Sequence, residues 1–341
     1  MAYTTIKKPS DYFNTKLWTG NGSTQSITGV GFQPDWTVVK RRNAASGSQC
    51  IDAVRGVIKK IAWNESSQEN DVTNGITSFD SDGYTLGDSA AFNGSGDSHV
   101  GWSWKANGTG VANTDGSISS TVSANTTSGF SIVSYTSTGS NATVGHSLGE
   151  APAMIIFKRR SGDTENWVVY HKSLGATKHL KLNLTDAENT SSERFNNTEP
   201  TSSVFSLGIS GDVNGGTSPF IAYCFAEKKG FSKFGSYTGN GSTDGTFVYT
   251  GFKPAMVIIK KTSGADDWVL FDNKRDPFNV TEKRLFANAS VAEATGNNDF
   301  DLLSNGFKLK TTDGKINSSN NYIYMAFAEE PLVGDNPATA R

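Results

Sequence analysis

The chain has 341 residues, with 31 Lys and Arg against 33 Asp and Glu, so it lacks the basic excess that a nucleic-acid or anionic-membrane footprint needs. Only 19% of residues are charged, below the usual quarter of a globular protein, and Gly, Ser, Thr and Asn fill the gap. Those residues make tight turns between strands, while 11% aromatics supply bulk to bury, which excludes a disordered chain.

From the N-terminus, residues 1–10 are polar, carry Lys7 and Lys8, and lack the apolar run of a signal peptide. They read as an N-terminal arm, and no later stretch reaches membrane-spanning length. Beyond residue 10 the same landmarks occur three times in the same order, the signature of an internal repeat. The first is a Gly-x-x-Pro corner followed by an apolar strand with basic residues at its end. It stands as Gly31 to Pro34 before Trp36–Arg42, Gly149 to Pro152 before Met154–Arg160, and Gly251 to Pro254 before Met256–Lys261. Next comes a strand opened by Trp167 in the second copy and Trp268 in the third, with the Cys50–Ile51 neighbourhood in the first.

The third landmark is Asn-x-Ser/Thr-x-x-Glu at Asn64–Glu69, Asn183–Glu188 and Asn288–Glu293. Its inner Ser/Thr-x-x-Glu spells a capping box, so a short capped helical turn is expected there in each copy. The last landmark is a closing strand in strict alternation: Val100, Trp102 and Trp104; Ile221, Tyr223 and Phe225; Ile323, Met325 and Phe327. Period two puts these residues on one face and Gly101, Ser103, Ala222, Cys224, Tyr324 and Ala326 on the other. One face should pack and the other meet water or a partner.

The expected fold is all-β: three tandem antiparallel β-sandwich-like repeats of about 100 residues each. The boundaries are an arm at 1–10, repeats at 11–106, 130–229 and 230–330, a Gly/Ser/Thr/Asn-rich linker, flexible or irregular, at 107–129, and a C-terminal tail at 331–341. Repeats two and three should form a rigid pair, with the first freer to move.

Candidate chemistry is sparse. Gly145-His-Ser-Leu-Gly149 spells a serine-hydrolase elbow, but it leads into a Pro corner and a strand, not a helix, and reads as a turn. Asp80-Ser-Asp82-Gly83 opens like a calcium loop, yet Ala91 stands where the twelfth-position carboxylate belongs, so a hairpin turn is expected. The four histidines lack ligand spacing, and the two cysteines, Cys50 and Cys224, are too few for a disulfide framework. No catalytic, cofactor or metal residues are assigned. Trp167 and Trp268 read as core, while Trp18 and Trp63 are the candidate ligand-contact aromatics, since flat rings stack on sugar faces.

Longer stretches carry a likeness. They are Met1-Ala-Tyr-Thr-Thr-Ile6, Asp11-Tyr-Phe-Asn14, Trp18-Thr-Gly-Asn-Gly-Ser23, Asp52-Ala-Val-Arg-Gly56, Phe79-Asp-Ser-Asp-Gly-Tyr84, Phe231-Ser-Lys-Phe-Gly-Ser-Tyr237, Tyr237-Thr-Gly-Asn-Gly-Ser242 and Tyr322-Ile-Tyr-Met-Ala-Phe-Ala-Glu329. Together they resemble virion structural or tail-fibre-like proteins of marine tailed phages. The resemblance implies a non-enzymatic virion protein, made in the host cytoplasm, that contacts other virion proteins. Its first implied role is a tail-associated fibre or adhesin touching a host surface glycan or protein. A capsid decoration or head-fibre protein is the alternative, and a glycan depolymerase a third. Self-association into a homo-oligomer is expected, with no cofactor, no nucleic acid and no membrane insertion.

Overall fold

The structure is a computed structural model that describes residues 3–335, 337 and 338. In repeat one, Phe13–Thr19 pairs antiparallel with the closing strand Ser98–Trp104, whose other edge takes the Pro-corner strand Trp36–Arg41. The sheet continues through Gln49–Asp52, Lys59–Ala62 and Asn70–Asp71. Repeat two has the same order: Phe130–Thr136, Pro219–Phe225, Met154–Arg159, Val168–His171, Lys178–Lys181 and Asn189–Thr190. Repeat three follows with Ser232–Thr238, Asn321–Pro331, Phe252–Lys261, Trp268–Asp272 and Leu285–Phe286. A small second sheet covers each main sheet: Gln25–Thr28 with Gly83–Leu86 and Ile76–Asp80, Ala142–Gly145 with Val204–Leu207, and Phe247–Tyr249 with Gly306–Leu309 and Phe300–Leu303. The protein is therefore all-β, with three antiparallel sandwich-like repeats.

Alternation along the closing strands sorts the core as the sequence implies. Trp102 and Trp104, Tyr223 and Phe225, and Met325 and Phe327 all belong to one shared cluster. Ala222 and Cys224 face a second cluster inside repeat two, and Tyr324 and Ala326 a third inside repeat three. The central strands of each main sheet are thus buried on both faces, one under its own small sheet and the other against the two neighbouring repeats. The face expected to meet water or a partner meets the neighbouring repeats along the central strands. This explains why the Pro-corner strands are continuous apolar runs (Val38-Val39, Ile155 to Phe157, Val257 to Ile259), the pattern of strands covered on both sides.

A central core built from all three repeats corrects the picture of a mobile first unit beside a rigid pair. Trp36 packs on Tyr223 of repeat two at 4.3 Å between centroids, and Trp104 meets Phe327 of repeat three at 5.7 Å. Nor is 107–129 a flexible or irregular linker throughout. Val111–Asn113 and Ser120–Asn125 are strands that extend the sheet of repeat two. The described part of the N-terminal arm, from residue 3, is docked as well, residues 1 and 2 lying outside the described residues: Ile6 is buried in the central core and the Tyr3 hydroxyl donates to the Gly251 carbonyl at 2.6 Å. At the other end the closing strand runs on to Pro331, and the tail residues 336 and 339–341 lie outside the described residues.

Short helical turns occur in each repeat, just before the closing strand and not at the capping boxes. They span Ala90–Asn93 and Gly211–Asn214, while in repeat three Asp313 accepts from the amides of Ile316 and Asn317. Each turn delivers a buried asparagine (Asn93, Asn214 or Asn317) that locks the loop after the first strand. The Asn317 amide donates to the Ser242 and Thr311 carbonyls at 2.8 and 2.6 Å, and the Asn93 amide to the Gly87 carbonyl at 2.9 Å.

Candidate functional site

The Asn-x-Ser/Thr-x-x-Glu segments form no helix, and they make the joints between repeats. Asn64, Asn183 and Asn288 each accept from an amide at the start of the strand that follows the Pro-corner strand of their own repeat, at Ser48, Trp167 and Trp268. The residue in repeat one at the tryptophan position is thus Ser48. The rest of each segment reaches the next repeat. Lys158 donates to the Ser66 carbonyl at 2.8 Å, Lys260 to Thr185 at 3.1 Å and Lys40 to Ala289 at 2.7 Å. All three lysines are buried, which pushes each ammonium down to about 8. The amides of Glu69, Glu188 and Glu293 donate to the carbonyls of Arg160, Thr262 and Arg42. Repeat one is joined to two, two to three, and three back to one, through equivalent lysines and glutamates around a pseudo-threefold axis, with the lysine's acceptor shifted by one residue in the third joint.

Two of the joints are closed by guanidinium groups. Glu69 accepts from Arg160 at 2.9 and 3.0 Å and from Arg55 at 3.2 Å. Glu293 accepts from Arg42 at 3.0 and 2.8 Å and from Arg275 at 3.0 Å. Burial alone would raise the Glu293 carboxyl, but the two arginines outweigh it and hold the group below the usual range. Arg55 and Arg275 are anchored in turn on Asp52 and Asp272, which also accept from Tyr223 and Trp102 of the neighbouring repeats at 2.7 and 3.0 Å.

At the joint between repeats two and three, both arginines are replaced. Thr262 stands at the place of Arg42 and Arg160, Leu174 at that of Arg55 and Arg275, and His171 at that of the two aspartates. Glu188 pairs with Lys178. A cleft of about 470 Å³ opens there, lined by Ser173, Lys178, Glu188, Ser236, Thr262 and Asn321 among others. A second cleft of about 370 Å³, which includes His179, Lys181, Asp186 and Asn189, reaches Glu188 as well. One carboxylate, one ammonium, several hydroxyls and an amide make this a place to hydrogen-bond a polar or cationic group.

The residues singled out by sequence lie elsewhere. Trp18 is 9% exposed, its indole donating to the Phe92 carbonyl and stacking on His99 at 5.4 Å. Trp63 is 1% exposed and packs on Trp36 in the central core. Neither offers a face to a sugar, which corrects that expectation; Trp167 and Trp268 are core, with indoles donating across joints to Ala62 and Lys181. Ser147 sits in a turn at φ 55°, its hydroxyl against Asn113, while the His146 ring is occupied by the Leu148 amide and the Thr201 carbonyl. Asp82 accepts from the amides of Gly31 and Gly29, which lower its carboxyl, and it completes a hairpin turn. Among the described residues no three His, Cys, Asp or Glu converge to hold a metal, and no helix is long and apolar enough to cross a membrane.

The open joint is not among the sites expected from sequence, yet the sequence carries its signal. Arg42, Arg160 and Thr262 each follow their corner proline by eight residues, and only the third copy breaks the pattern.

The molecule is a pseudo-threefold, single-chain all-β body with one unsealed joint. The chain belongs to the DUF7483 family, a domain of unknown function, whose model matches residues 8–331. No curated protein matches the sequence.

Proposed function

We propose that this chain is a non-enzymatic structural protein of a bacteriophage virion, acting as a tail-associated fibre or adhesin that contacts the host surface. The observation that carries this reading is the threefold repetition of a rigid scaffold with locked loops. Loops 20–24, 137–141 and 239–244 are related by the pseudo-threefold rotation and held by Asn93, Asn214 and Asn317. Loops fixed on a rigid frame are the usual carriers of recognition, and several weak copies multiply avidity. The stretches that resemble marine-phage virion proteins include the loops at Asn21 and Asn240.

Antibody labelling of intact virions under the electron microscope tests this. Label on the tail, with binding of the purified protein to host cells, is the expected result. Label on the capsid would make the chain a decoration or head-fibre protein, and unlabelled particles would overturn the virion reading. Cleavage of a host glycan by the purified chain would overturn the non-enzymatic one.

A further inference from the structure

We infer that the open joint between repeats two and three is a receptor for a guanidinium group, supplied by an arginine side chain of a partner chain. The partner's being a virion protein rests on the function proposed above; the chemistry does not. At the joint between repeats one and two, the Arg160 guanidinium is held by two groups: the Glu69 carboxylate and the Ser134 hydroxyl, the latter at 3.2 Å. Both are present at the open joint. Ser236 pairs with Ile323 as Ser134 pairs with Ile221, and Glu188 meets Thr262 through its amide as Glu69 meets Arg160. Glu188, Ser236 and Thr262 all line the 470 Å³ cleft, and the short Thr262 side chain brings no guanidinium to the other two. The acceptors have been kept and the donor is gone.

Lys178 is a weak substitute for the missing group. Its counterpart Lys59 lies opposite Asp71 and pairs with it, whereas Lys178 lies opposite Thr190 and turns to Glu188 instead. Its side chain is 39% exposed, so it can swing into water when a better donor arrives. A planar guanidinium engages a carboxylate through two parallel hydrogen bonds, which an ammonium cannot do. Ser173, Thr238 and Asn321 on the cleft wall add acceptors for the remaining N–H groups.

The test is an amide NMR titration of the whole chain with agmatine, with an end-blocked Gly-Arg-Gly peptide and with its Gly-Lys-Gly counterpart. Saturable shifts at Ser173, Glu188, Thr262 and Asn321 with agmatine and the Arg peptide, and binding at least about tenfold weaker for the Lys peptide, are expected. Glu188→Gln, which keeps the shape, should abolish them. Thr262→Arg should also abolish them, because it supplies the guanidinium internally as in the other two joints, and it should raise the melting temperature. Equal binding of the Lys peptide, undiminished binding by Thr262→Arg, or no saturable shift with any probe would overturn the proposal. Binding of agmatine without the peptide would overturn a protein source and leave a free guanidinium compound as the ligand. Since the titration needs no virion, its result is independent of where the antibody label falls.

Discussion

Glu293 accepts two hydrogen bonds from Arg42, so the third repeat grips the first across 251 positions of sequence. Both side chains are mostly buried, at 8% and 19% exposed. Arg42→Ala leaves Glu293 with Arg275 alone and is expected to destabilise the protein by roughly 3 kcal/mol, the usual cost of breaking such a pair on one side. Urea unfolding measures it, as a lower midpoint at unchanged slope.

A shared core makes the three repeats one cooperative unit. Trp36 is fully buried against Trp63, Trp104, Phe130 and Tyr223. Trp36→Ala should cost about 3–5 kcal/mol. More tellingly, calorimetry of the wild type and of the variant should each show a single transition. A separate early transition for repeat one would contradict the shared core.

Acid should weaken the protein before most carboxylates titrate. Burial pushes His99, His171 and His179 down to about 4 from a usual 6.5. Unfolding lets each bind a proton that the folded state refuses. Their contribution is therefore complete above pH 6.5 and is lost as pH falls toward 4, at up to about 1.4 kcal/mol per pH unit for each ring. Chemical denaturation at a series of pH values should show the slope, and His99→Gln should make it shallower.

Both thiols report on opening. Cys50 and Cys224 are free and buried, and burial pushes the Cys50 thiol up to about 11 and Cys224 higher still. Neither should react with Ellman's reagent at pH 8 in the native protein, and both should react promptly in denaturant.

Much of the architecture could be read directly from the residues. The alternation at Val100, Trp102 and Trp104 placed those side chains on one face because period two is a local property of a strand. What covers that face is not local: the same pattern suits an isolated sandwich and a sheet pressed against two others. Ser66 and Glu69 show the limit clearly. Their spacing fits a helix cap, and the choice against it is made by Arg160, 91 residues beyond Glu69. Trp18 and Trp63 were misplaced for a related reason, since a ring's exposure depends on strands far away in the chain. The open joint needed only the comparison of Thr262 with Arg42 and Arg160, but its meaning appeared once the arginines were seen to hold glutamates.

The docking of Tyr3 and Ile6 has a consequence for how the protein is made. Their seats lie on the third repeat and in the core that all three repeats build, with Tyr3 bonded 248 residues away at Gly251. During synthesis residues 3 and 6 emerge well before the third repeat and must wait for it before they can settle. A chain that stops before the third repeat would keep Ile6 and the inner faces of the first two main sheets bare, marked for chaperones and proteases, so the earliest repeats are covered only once the last one has been made.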